Sequence, residues 1–184
     1  GIRPHPTQNQ RHRAAARAAA IAFLAPAALL SATACGSDSD SDGATVDRQA
    51  EVAERGASVM PFDLDATTHR FAPTDDGLVQ TVVADDPDDA DQVALVREHL
   101  AHEAERFVAG DFADPAAIHG DDMPGLAALE EGAADIDVTY ADTPAGGRIT
   151  YTTDDAHLVT ALHDWGAAQV SDHGDHAEHG EDHG

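Results

Sequence analysis

The chain has 184 residues, a length typical of one domain, and carries 35 acidic residues against ten arginines, a formal net charge of −25. It contains no lysine, which excludes Schiff-base catalysis by lysine and a nucleotide-binding P-loop. So acidic a surface repels phosphate backbones, and nucleic acid is therefore not an expected partner.

The first 34 residues differ in charge from the rest of the chain. They contain no Asp or Glu, whereas the residues after Cys35 carry 35 acidic residues and six arginines, a formal charge of −29. Three arginines between residues 11 and 17 precede an apolar run that ends at Leu30, and small residues follow. This order is typical of a secretory signal peptide, and the apolar run is too short for a helix that spans a membrane. Residues 1–34 are therefore predicted to be a lipoprotein-type signal peptide.

Cys35 follows the sequence Ser31-Ala32-Thr33-Ala34, which resembles the lipobox of bacterial lipoproteins. The resemblance implies that Cys35 is lipidated and anchors the chain to the extracellular face of the cell membrane. The alternative is ordinary cleavage at Ala32-Thr33-Ala34, which would release a secreted protein. As the only cysteine, Cys35 leaves no partner for an intramolecular disulfide. Residues 35–56 continue after Cys35 with Gly, Ser and Asp and are predicted to form a disordered tether.

Residues 57–174 are predicted to form an α+β domain of two ββα repeats. In the first repeat, strands over 67–72 and 78–84 flank a turn, and a helix runs from about residue 90 to Gly110. Its apolar residues recur at helical spacing at Val93, Val96, Leu100, Ala104 and Phe107.

The second repeat has the same order. Strands are predicted over 136–140 and 148–152, and a helix follows that ends at Gly174 and presents Leu158, Leu162, Trp165 and Gln169 on one face. Since one ββα unit buries too little alone, the two repeats are predicted to share a four-stranded antiparallel sheet with the helices on one face. Residues 111–132 are predicted to be a shaped loop, and residues 175–184 a disordered tail rich in His and Asp.

Four segments resemble a family of small proteins from high-GC Gram-positive bacteria: Met60–Leu64, Thr67–Phe71, His119–Leu126 and Ala168–Gly174. The resemblance covers about residues 60 to 174. Many members carry the name aspartate carbamoyltransferase, so the resemblance implies that activity. Carbamoyltransferases of that kind hold carbamoyl phosphate with a Ser-Thr-Arg-Thr-Arg loop and with lysine, and this chain has neither.

Histidine is the residue type that most suggests a binding chemistry here, because ten of the twelve histidines follow Cys35. Neutral imidazoles beside carboxylates suit Zn, Ni or Cu. Four candidate ligands lie among Asp and Glu near the C-terminus: His173, His176, His179 and His183. The alternative interpretation of this segment is a solvated polar tail that binds nothing.

Two further pairs are candidate metal ligands within the domain. His99 and His163 occupy corresponding positions of the two repeats and would converge if the repeats pack symmetrically. His119 and Met123 form a nitrogen and thioether pair of the kind that copper prefers. The alternative roles are structural: hydrogen-bonded, partly buried histidines, and a methionine that fills the core.

These observations favour an exported, non-enzymatic protein that is anchored to the membrane by lipid and binds a transition metal. The first alternative is a cell-surface module that binds a protein or the cell wall. The second is an enzyme with the family's name.

Overall fold

The computed structural model describes residues 39–180, and the side chains from residue 43 onwards. Its fold is α+β, as predicted, with five helices and five strands in the described part of the chain. The helices are α1 (Ser39–Val59), α2 (Ala90–Val108), α3 (Ala113–His119), α4 (Leu126–Gly132) and α5 (Ala156–His173). The strands are β1 (Thr67–Thr74), β2 (Gly77–Ala84), β3 (Asp137–Thr143), β4 (Gly146–Thr152) and β5 (Ala177–His179).

The sheet has the strand order β3-β4-β2-β1-β5. The first four strands pair antiparallel, but β5 pairs parallel with β1, so the predicted four-stranded antiparallel sheet is wrong by one strand. The extra strand arises because the chain turns at Gly174, where φ is +54°, and then runs beside β1. The predicted disordered tail is therefore ordered as far as Gly180, whose N–H donates to the carbonyl of Phe71. Residues 181–184 lie outside the described residues.

Both ββα units occur in the predicted order, with each helix capped by an aspartate. Asp89 accepts a hydrogen bond from the Gln92 N–H at the start of α2, and Asp155 accepts one from the His157 N–H at the start of α5. Buried residues alternate along β1, β2 and β4, so one face of the sheet is packed against the core. α2 contacts β2, β3 and β4, while α5 contacts β1 and β2.

The core is centred on Trp165 of α5, which is 1% exposed. Its indole makes edge-to-face contacts with the rings of Phe71, Phe107 and Tyr151, at centroid distances of 6.1, 6.1 and 5.7 Å. These three rings come from β1, α2 and β4, so one side chain ties both ββα units together. The helical faces predicted from apolar spacing in α2 and α5 are the buried faces in the structure.

The prediction of a disordered tether over residues 35–56 differs most from the structure, in which residues 39–59 form helix α1. Val52 is fully buried, and α1 packs against α3 and α5. Arg48 donates to the Asp172 carboxylate and to the carbonyl of His119. The inward face of α1 is built around Arg48, Val52 and Gly56, so polar and small residues hide the apolar periodicity that would have predicted a helix.

The segment predicted as a loop over residues 111–132 contains the short helices α3 and α4. Its glycines still have the expected turn role. Gly125 has φ of +79°, and a Cβ at this position would collide with the backbone carbonyl of Ala161 in α5. Residues 1–34 and Cys35 lie outside the described residues, and no helix within residues 39–180 is long and apolar enough to cross a membrane.

Candidate functional site: a buried histidine cavity

A small cavity of about 30 Å³ lies under the sheet, between α2, α3 and α5. This volume accommodates one or two water-sized groups. Its wall is unusually polar for a protein interior. The polar residues that line it are His69, Gln80, His99, Glu103, Asp114, His119, Gln169 and His173. We refer to it as the histidine cavity.

Within the part of the chain whose side chains are described, three buried side-chain polar atoms lack a hydrogen-bond partner. Two of them, His69 Nδ1 and Trp165 Nε1, belong to residues that line the histidine cavity. An unpaired polar atom in the interior costs about 1–3 kcal/mol, which is tolerated where the atom serves a ligand. Polar and apolar side chains share this wall, and the polar ones include two buried atoms without a hydrogen-bond partner among the described residues.

His119 ends α3 and is held by a charged pair behind it. Its Nδ1 lies 2.9 Å from Oδ2 of Asp172, and Arg48 binds both oxygens of the same carboxylate at 2.7 and 3.2 Å. Burial lowers the pKa of His119 more than Asp172 raises it, so the ring is neutral at pH 7. Burial alone would raise the pKa of Asp172, but the hydrogen bonds from Arg48 and His119 outweigh it and leave the pKa lowered.

A neutral histidine that donates Nδ1–H to a carboxylate has a fixed ring orientation and tautomer. The same arrangement supports metal-ligating histidines, whose other nitrogen carries the lone pair. The side chain of Gln169 also interacts with the His119 ring and raises its pKa against the larger effect of burial.

His69 and His173 stack on the other side of the cavity, with parallel rings 5.1 Å apart. His173 also meets His119 edge-to-face at 5.0 Å, so three imidazoles from β1, α3 and α5 form one cluster. Burial lowers the pKa of His69 to about 4 and that of His173 to about 2. Both rings are therefore neutral at pH 7, which is the form that binds a metal ion.

His99 and Glu103 lie one turn apart on α2, and both line the cavity. Burial lowers the pKa of His99. Glu103 is 7% exposed, and burial, together with the neighbouring Asp114, raises its pKa to about 8. Asp114 is paired with Arg106. At pH 7 the wall thus contains four neutral imidazoles and one protonated carboxyl group.

The structure separates the metal ligands that the sequence suggested. His99, His119 and His173 line the cavity, whereas His163 Nε2 bonds to the carbonyls of Thr74 and Gly77 and pins the β1–β2 turn. The proposed convergence of His99 with His163 is therefore wrong. Met123 lies in the apolar core, 5% exposed, and does not line the cavity beside His119.

The remaining histidines of the C-terminal segment are outside the cavity wall. His176 lies 3.5 Å from Asp65 near the surface, and His179 is exposed on β5. His183 lies outside the described residues. Sequence reasoning missed His69 and Glu103 as site residues. The strand alternation that buries Thr67 and Phe71 also buries His69, and the four-residue spacing from His99 places Glu103 on the same face of α2.

In the described part of the chain, no three His, Cys, Asp or Glu side chains are arranged to hold a metal ion as they stand. A surface depression of about 790 Å³ is lined by five aspartates and by no histidine, and it shares no lining residue with the histidine cavity. Comparisons with models of protein families, with curated proteins and with solved structures found no match to this chain. The resemblance to the family whose members carry the name aspartate carbamoyltransferase therefore stays a prediction.

Proposed function

We propose that this chain is an exported, lipid-anchored protein that binds one transition metal ion in the histidine cavity and holds it for storage or delivery. The observation that carries the proposal is the unpartnered, fully buried Nδ1 of His69 in a cavity that three other histidines line. Imidazole nitrogens with a nearby carboxyl group form a donor set that suits Zn, Ni and Cu(II).

The electrostatics of the cavity support the same proposal. Burial lowers the pKa of His69, His119 and His173, so no proton has to leave these rings at neutral pH before they bind a metal ion. His119 also has the carboxylate partner, Asp172, that commonly orients a metal-bound histidine.

The unbound arrangement is not a preformed coordination shell, so binding requires the rings to turn. His69 Nδ1 has no hydrogen-bond partner among the described residues, but the ring also interacts with the backbone of His176, and turning the ring would disturb that interaction. His119 would keep its bond to Asp172 through Nδ1 and present Nε2 to the ion. The imidazole centroids lie 5.0 and 5.1 Å apart, so the rings are near enough to turn toward one ion.

Export and lipidation rest on the sequence. The arginines and apolar run before Cys35 support export, and the small residues that precede Cys35 support its lipidation. On this proposal, a metal site on the outer face of the membrane would face the surroundings of the cell.

Metal titration of the purified chain tests the metal-binding proposal. We expect one Zn²⁺, Ni²⁺ or Cu²⁺ ion per chain by calorimetry, with elemental analysis after dialysis giving the same ratio. His69→Phe keeps an aromatic ring in place and removes both nitrogens, so we expect it to weaken binding more than about tenfold.

His102→Ala is the matched control for this titration. His102 is exposed on α2, three residues from His99, and does not line the cavity. It should bind metal as the unmodified chain does. The proposal is wrong if His69→Phe binds metal as tightly as His102→Ala, or if the unmodified chain binds no transition metal ion.

A further inference from the structure

The charges around the histidine cavity bear on whether a bound metal ion would be monovalent or divalent. Four neutral imidazoles contribute no charge, so a bound cation depends on nearby carboxylates for compensation. The two carboxyl groups on the wall are Glu103 and Asp114. Asp172, which hydrogen-bonds His119, is a third carboxyl group close to the cavity.

Two of these three carboxylates already have an arginine partner. Asp172 pairs with Arg48 at 2.7 Å, and Asp114 shares Arg106 with Asp111. Glu103 forms no ion pair within the described part of the chain, although it is 7% exposed. It is therefore the wall carboxyl group that has no ion pair of its own among the described residues, although Asp114 and Arg106 lie close enough to influence it.

The position of Glu103 also suits direct ligation. It lies four residues after His99 on the 19-residue helix α2, so both side chains project from the same face into the cavity. A rigid helix holds ligands more reproducibly than a loop does. Carboxylate oxygen is a hard donor that favours divalent ions, whereas Cu(I) prefers thioether and thiolate sulfur.

We infer, on the basis of the metal-binding function proposed above, that the histidine cavity is selective for a divalent transition metal ion and that Glu103 is the residue that determines this selectivity. The carboxylate of Glu103 ligates the ion together with imidazole nitrogens and leaves the site with a lower net charge than imidazoles alone would give. The proton that Glu103 carries at neutral pH is released to solvent when the ion binds.

One feature of the wall favours the opposite selectivity. The partly buried Met60, immediately after α1, also lines the cavity, and its thioether is a donor that suits Cu(I). Glu103 is the more deeply buried of the two, so we assign the selectivity to Glu103. Substitutions at the two positions separate these possibilities.

The test compares Zn²⁺ and Cu⁺ binding to the purified chain, each by competition with a chromophoric chelator. Glu103→Gln preserves shape and removes the charge. We expect it to weaken Zn²⁺ binding by more than about 100-fold, since losing even an outer-shell partner typically costs about 10–100-fold. Cu⁺ binding should change less than about threefold. Glu105→Gln, exposed on the same helix, is the control and should leave both affinities unchanged.

Glu103→Asp distinguishes a ligand from a residue that only shapes the helix. It keeps the negative charge on a shorter side chain, so it should retain more Zn²⁺ affinity than Glu103→Gln. The inference is overturned if Glu103→Gln binds Zn²⁺ like the unmodified chain. It is also overturned if the unmodified chain binds Cu⁺ but no divalent ion and Met60→Leu abolishes that binding, although the metal-binding function would then stand. If the unmodified chain binds neither ion, the proposed function itself fails.

Discussion

Glu103 has a consequence for stability that is independent of metal. Burial raises its pKa from 4.5 to about 8, so the folded protein holds a proton that the unfolded chain releases above pH 4.5. A group with a raised folded pKa contributes stability that is fully present below the unfolded pKa and is lost as the pH rises through the folded pKa. The free energy of unfolding should therefore fall between about pH 4.5 and pH 8 because of this one residue.

The size of this effect follows from the two pKa values. Each pKa unit of difference is worth about 1.4 kcal/mol, and the whole range from pH 5 to pH 7 lies between the two pKa values. The contribution of Glu103 should thus decrease by about 2–3 kcal/mol over that range. The buried histidines act in the opposite direction, since their lowered pKa values make the folded state lose stability as the pH falls below about 6.5.

The comparison of Glu103→Gln with the unmodified chain isolates Glu103, because the histidines contribute equally to both proteins. Without metal, urea unfolding should show little difference near pH 5 and a variant more stable by about 2–3 kcal/mol at pH 7. Glu105→Gln should track the unmodified chain throughout. A difference that does not change with pH, or a variant that is less stable at pH 7, would show that the Glu103 carboxyl is charged in the folded protein and would refute the reasoning.

Three further substitutions test the packing of the domain. Val52→Ala should destabilise the domain by about 1–2 kcal/mol because Val52 is fully buried. Val46, on the same helix, is 63% exposed, so Val46→Ala should change stability by less than about 0.5 kcal/mol. Equal effects of the two substitutions in urea unfolding would show that α1 is not docked. Trp165→Ala should cost about 3–5 kcal/mol in the same assay, and a near-neutral result would contradict its central place in the core. Arg48→Ala should cost only about 1 kcal/mol, because the Arg48 side chain, which pairs with Asp172, is 37% exposed. The substitution should nevertheless increase hydrogen exchange in α1. Unchanged exchange would show that this pair does not dock the helix.

The two ββα units could be predicted because their signals are local. Asp89 and Asp155 cap helices whose apolar residues recur at helical spacing, and turn residues separate the strands. α1 and β5 could not be predicted, because both are stabilised by distant partners. α1 depends on Asp172, which is 124 residues away from Arg48, and the three-residue β5 exists through its pairing with β1.

The candidate site was only partly predictable for the same reason. Histidine abundance pointed to metal chemistry, and His99, His119 and His173 were candidates from sequence. No local pattern shows that His119 and Asp172, which are 53 residues apart, form a hydrogen bond, or that β1 brings His69 against His173. Histidines at regular spacing near the C-terminus drew attention to His176 and His179, which lie outside the cavity wall.

Anomalous X-ray diffraction at the zinc edge, from crystals of the chain grown with one equivalent of Zn²⁺, would locate the bound ion. We expect a single strong peak inside the histidine cavity, about 2.0–2.1 Å from nitrogens of His69 and His119. Glu103 should contribute a third ligand, and His173 a fourth. Peaks confined to surface residues such as His176 and His179, with none in the cavity, would contradict this expectation.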